Sequence, residues 1–176
     1  IGTWAHLDGE LVKVVSVTAT ALTVARGVLD TVPAPHAAGV MIHFADDFKA
    51  VDLTEWSSGQ TVNAKLLTRT GLGNLLEAAA PVDSVVMAQR FIRPYAPGKV
   101  LVNTVSYPTS VTGDLTIDWV HRDRTLQTAY LVEQTEASIG PEVGTTYTVR
   151  IYNAQTGGTL IRTYSAIAGT SQVYTV

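Results

Sequence analysis

Apolar side chains recur along this chain at the period of a strand. Over Thr61 to Thr68, Val62, Ala64 and Leu66 fall on one face, and Thr61, Asn63 and Lys65 on the other. Glu10 to Val17 is rich in valine, a β-branched residue suited to a pleated, half-buried surface. The pair Asp8-Gly9 precedes it, and this pair favours a tight hairpin turn, so Thr3 to Leu7 is predicted as the first arm. Further strands are predicted over Ala21 to Ala25, Val40 to Phe44 and Ser84 to Gln89. Two segments carry a helical period instead. Leu72, Leu75, Leu76 and Ala79 fall at i, i+3, i+4 and i+7 ahead of Pro81, which predicts a turn or two of helix. Phe48, Val51 and Trp56 give a weaker pattern of the same kind.

Arg93-Pro94-Tyr95-Ala96-Pro97-Gly98 holds two prolines and a glycine in six residues and reads as a stiff, extended connector. It divides the chain into a small all-β domain over 1–93, a barrel or sandwich, and a second domain over 94–176. The second half has its own rhythm: Lys99 to Val102, Asp114 to Val120, Thr146 to Tyr152, Thr159 to Tyr164 and Gln172 to Val176. Thr112-Gly113, Gly157-Gly158 and Ala168-Gly169 punctuate these runs, as in a sandwich. The fold class expected is all-β. The predicted cores are Val12, Val14, Val24, Val62 and Leu66 in the first domain, and Leu115, Ile117, Trp119, Val149 and Ile151 in the second.

Composition narrows the chemistry. With 176 residues, 46% of them hydrophobic and 15% charged, the chain can bury a core. Twelve basic against fifteen acidic side chains give a net charge of −3, which argues against a nucleic-acid partner. There is no cysteine, which excludes disulfides, thiol catalysis and cysteine-ligated metal sites. The longest apolar run is well short of the ~18–20 residues of a membrane-spanning helix. The chain opens on Ile1, not Met, and is read as a piece of a longer polypeptide.

His36 lies in a Pro-Ala-Pro loop with no carboxylate close in sequence, and is expected to hydrogen-bond backbone. His43 is expected at a core or edge position of a strand. His6 and Asp8 share one side of a hairpin arm, but two ligands are too few for a metal. Asp46-Asp47 and Asp52 with Glu55 lack the ligand spacing and the glycine of a calcium loop, and are expected on exposed turns. Gly71-Leu72-Gly73 lacks the third glycine of a dinucleotide fingerprint and predicts a turn. His121-Arg122-Asp123-Arg124 is read as a solvated loop with local ion pairs, or as arginines that meet acids of a neighbouring subunit or domain. No catalytic, cofactor-binding or metal-binding residue is assigned, no cofactor is expected, and the chain is expected not to be an enzyme.

Two resemblances add to this reading. From Pro94 onward the chain resembles a fibronectin type III domain. Pro97, Val100 and Val102 match its first strand, Leu115-Thr116-Ile117-Asp118-Trp119 the second with its core tryptophan, and Tyr147 to Tyr152 the third. The chain departs from that pattern in the long Val120 to Thr145 stretch and in ending after a fifth strand, so the resemblance implies a sandwich lacking its last two strands. The whole chain resembles phage tail-tip proteins of the baseplate-hub or central-fibre type, related to gene transfer agent hub proteins. Glu10-Leu11-Val12, Arg26-Gly27, Thr31, His36 and Gly39 carry the first part of this likeness. Leu66 to Thr70, Arg93 to Gly98 and Trp119-Val120-His121-Arg122-Asp123-Arg124 carry the rest.

The resemblance implies a virion structural protein of the phage tail, made in the host bacterial cytoplasm. It further implies a homotrimer around the tail axis, in contact with neighbouring tail proteins and the host cell surface. Two other classes stand beside it: a bacterial surface adhesin or carbohydrate-binding module with a fibronectin-like domain, and an accessory domain of a polysaccharide-degrading enzyme. The missing strands imply an open sheet edge, to be covered by chain beyond Val176 or by a neighbouring subunit.

Overall fold

The structure, a computed structural model, describes residues 3–46, 52–88, 90–127 and 130–176. It is an all-β chain in which every sheet is antiparallel. Packing divides it into two compact units, Ile1–Lys49 with Pro94–Val176, and Ala50–Arg93. The first unit is therefore discontinuous in sequence, and the Pro94 to Gly98 connector begins where the second unit ends. Among the described residues no sheet contains strands from both sides of Pro94.

In the first unit, β1 (Trp4–Leu7) and β2 (Glu10–Val17) form the expected hairpin. Asp8 and Gly9 both have positive φ, 47° and 85°, which gives the turn the twist that matches two paired strands. With β3 (Leu22–Ala25) and β4 (Ile42–Phe44) they make a four-stranded sheet in the order β3-β2-β1-β4. Ala5, Val12 and Val14 are buried on one face, with Leu22, Val24 and Ile42 packed against them.

The chain re-enters this unit as β9 (Gly98–Val102), followed by β10 (Leu115–Val120), β11 (Tyr147–Tyr152), β12 (Leu160–Ile167) and β13 (Ser171–Tyr174). Three of these make a sheet in the order β13-β10-β9, while β11 and β12 make a separate pair. Ile117 and Trp119 on β10 are buried as expected, and Trp119 meets the Tyr147 ring edge-on at 5.3 Å between centroids. Leu115, Val149 and Ile151 are half-buried.

The second unit holds two short pairs. These are β5 (Thr61–Ala64) with β8 (Asp83–Val86), and β6 (Arg69–Thr70) with β7 (Gly73–Asn74). Two expectations are corrected here. The strand predicted to run to Thr68 stops at Ala64, and Leu66 is 84% exposed instead of in a core. In this register Ala64 faces Asp83, so Leu66 would have to face Pro81, which has no N–H for a ladder. The helix predicted over 72–79 is also absent. Gly73, at φ 144°, lies in β7, and only Glu77–Ala79 turns, as a single 3-10 turn. Two glycines at the start oppose a helix, and its apolar stripe would pack on nothing, since Leu72 and Leu76 are exposed. Phe48, Val51 and Asp47 lie outside the described residues.

Candidate functional site

The inward face of β2 reads Glu10, Val12, Val14, so a glutamate stands in phase with the core. Its side chain is 1% exposed, and a buried carboxylate needs partners for its lone pairs. They come from three places. Arg26, just after β3, places its guanidinium across both oxygens, with Nε 2.7 Å from Oε1 and Nη2 2.5 Å from Oε2. The N–H groups of Gly27 and Ala34 donate at 2.8 and 3.1 Å. His36 Nε2 lies 2.9 Å from Oε2, with its Nδ1 buried and 3.9 Å from Asp8 Oδ2.

Burial acts to raise the pKa of Glu10. The hydrogen bonds from Arg26, His36, Ala34 and Gly27 outweigh it and hold the carboxyl at about 2. The pairing also raises Arg26 above its usual value. Thr31 braces the residues next to Glu10 and Gly27, its hydroxyl accepting from Leu11 N at 3.1 Å and donating to the Val28 carbonyl at 2.8 Å. Gly27 has φ 56°, and a Cβ there would come within 2.4 Å of Gln134 Cγ and 2.7 Å of Pro33 Cδ, so only glycine fits.

A second knot organises the long segment after β10. Arg122 is 6% exposed, and its two terminal nitrogens lie 2.9–3.3 Å from five carbonyl oxygens, those of His121, Glu133, Gln134, Glu136 and Ala137. Burial lowers its pKa, with Glu136 and Glu133 acting in the other direction. Gly98 lies against this guanidinium, and a Cβ there would come within 2.3 Å of Nη2. The two knots are joined through Gln134, whose N–H donates to the Arg26 carbonyl at 3.0 Å and whose carbonyl accepts from Lys99 N at 2.6 Å.

These contacts correct two expectations. His36 is bound to a carboxylate 26 residues away, because the fold brings its loop over the start of β2. The His121 to Arg124 run is not a solvated loop. Arg122 is sequestered on backbone carbonyls, Asp123 is buried and accepts from Thr125 N and Oγ1 at 2.8 and 2.6 Å, and Arg124 pairs with Glu142 of its own chain at 3.1 Å. His121 bonds the Tyr147 hydroxyl through Nδ1 at 2.8 Å.

The other candidates do not converge. His6 and His43 stand opposite each other on β1 and the edge strand β4, ring centroids 6.4 Å apart. Asp52 accepts from Thr54 N at 2.9 Å and Trp56 Nε1 at 2.8 Å on an exposed turn, and these bonds lower its pKa. Gly71 and Leu72 form the turn between β6 and β7. Among the described residues no group of three or more metal-ligating side chains comes together, and no helix is long and apolar enough to cross a membrane.

A carboxylate held near pKa 2 and saturated by five donors cannot serve as a general acid or base near neutral pH. The chemistry of both knots is cohesion. Neither was identified from sequence, although a glutamate in phase with Val12 and Val14 is the pattern of a buried, paired acid. No protein-family model matches the chain, and no curated protein does.

Proposed function

We propose that this chain is a non-enzymatic structural component of a phage tail tip or baseplate hub, made in the host bacterial cytoplasm and carried in the virion. In this reading it assembles as a trimer about the tail axis, against neighbouring tail proteins, and contributes to attachment at the host surface. One observation carries the reading: separated residues of the tail-protein resemblance converge in space. Arg26, Gly27 and His36 meet on the buried Glu10 carboxylate, Thr31 bonds the backbone of the neighbouring Leu11 and Val28, and Gly98 and Arg122 interlock in the second knot. Residues that match at scattered positions and meet in the fold are what a shared scaffold requires. The division of the later strands into β13-β10-β9 and β11-β12 supports a sandwich of the fibronectin type.

The test is electron microscopy of tailed particles labelled with antibody to this chain, together with native mass measurement. Label at the cell-facing tip and a trimer mass are expected. Absence of label from tails, with binding to a glycan panel, favours the adhesin or carbohydrate-binding reading instead.

A further inference from the structure

The ends of β3 and β9 line a cavity of about 320 Å³ in the first unit, at the small end of the range for ligand pockets. No residue of β11, β12 or β13 takes part in its walls. Two of the side chains that line it sit on backbone that glycine would adopt more easily. β9 carries one residue more than β10 at this point: Asp118 faces Leu101 and Val120 faces Gly98, so Lys99 and Val100 bulge opposite Trp119 alone. Lys99 has φ 46° and Tyr107 has φ 50°. A left-handed bulge residue is ordinarily glycine, and this conformation strains a residue that carries a side chain. A lysine and a tyrosine held at one cavity in spite of that strain point to a use for their side chains.

The polar groups around the cavity are unequally satisfied. Arg26 commits Nε and Nη2 to Glu10 and Ala34. Its Nη1, the Lys99 ammonium and the hydroxyls of Ser106 and Tyr107 make no hydrogen bond or ion pair with any described residue. Glu133 also lines the cavity. Its two oxygens accept from Thr135 N, at 2.9 Å, and from Thr135 Oγ1, which leaves further lone pairs open. We propose that this cavity binds a sugar ring carrying a carboxylate, the chemistry of a uronic acid. The carboxylate pairs with Lys99 and the outer nitrogen of Arg26, and ring hydroxyls bond Ser106, Tyr107 and Glu133. The apolar face of the ring lies on the exposed Tyr107 ring and on Val100. A bare anion would face the like charge of Glu133, and a neutral sugar would leave Lys99 without a counter-charge, so one ligand with both groups suits the set. The inference goes beyond the tail-tip reading and does not depend on it.

The probes are glucuronate and galacturonate, with glucose, acetate and glycine as controls, titrated into the isotope-labelled full chain. A uronate is expected to move the amide resonances of Lys99, Ser106, Tyr107 and Thr135 saturably, with each control at least about tenfold weaker. Lys99→Gln is expected to weaken the uronate about tenfold and to leave glucose unchanged. Tyr107→Gly removes the ring while relaxing the backbone, so it is expected to keep the rest of the spectrum in place and to weaken the uronate several-fold. Oligogalacturonate separates the two sources of such a ring: tighter binding per ring than the monomer supports a polysaccharide, and equal binding supports the free acid. No saturable shift with either uronate overturns the proposal. Acetate or glycine matching the uronates also overturns it, because the cavity is then a simple carboxylate site. Glucose matching them overturns it as well, because the charge is then unused.

Discussion

The two units of this chain treat buried surface in opposite ways. The first commits charged groups to its interior and satisfies them: Glu10 with five donors, Arg122 with five carbonyl oxygens. The second unit has one buried apolar residue among those described, Ala80, and leaves Leu53, Leu66, Leu72 and Leu76 largely in water. Removing one partner from a satisfied buried charge is costly, whereas trimming a leucine already in water changes little. Sensitivity to substitution should therefore be concentrated in a few polar positions of the first unit.

The largest expected effect is at Glu10. Glu10→Ala leaves the N–H groups of Gly27 and Ala34 and the His36 ring without their acceptor, beside a partly exposed Arg26, and should lower stability by about 2–4 kcal/mol in urea denaturation at neutral pH. Acid should reach the same knot without a mutation. The carboxyl sits at about 2 in the folded chain against an ordinary 4.5, so its contribution is complete above that ordinary value and is lost as pH falls towards 2. The loss is on the order of 3 kcal/mol and should be missing from the pH profile of Glu10→Gln. Gly98→Ala drives a methyl into the Arg122 guanidinium and should cost about 1–3 kcal/mol, read as a lower melting temperature. Leu66→Ser should fall within about 0.5 kcal/mol of the parent chain. A Leu66 variant as damaging as Glu10→Ala would break the comparison outright.

Strand existence was legible because it depends on local pattern. The whole of β2 and its Asp8-Gly9 turn follow from the residues themselves. So does the burial of Trp119 and Ile117, whose alternation on β10 is strict. Leu66 was misplaced for a non-local reason: its alternation is sound, but the partner strand is cut short by Pro81. The site was less legible still. His36 has no acid close in sequence, and its partner is supplied by the return of a loop over a strand 26 residues earlier. Arg122 is held by carbonyls, and every residue has a carbonyl, so no side-chain motif announces that arrangement.

The crown of carbonyls around Arg122 has a consequence for how the chain meets a protease. Trypsin needs an extended, accessible stretch around a basic residue, and irregular segments usually provide one. Among its described residues the segment from residue 121 to 146 has no strand or helix, yet it closes around its own arginine, and the guanidinium that would enter the enzyme's specificity pocket is held inside. Limited digestion should therefore cut first after Lys65 and Arg69 in the second unit, and leave the bonds after Arg122 and Arg124 intact until the first unit unfolds. A loop built this way carries the resistance of a sheet with none of its ladder.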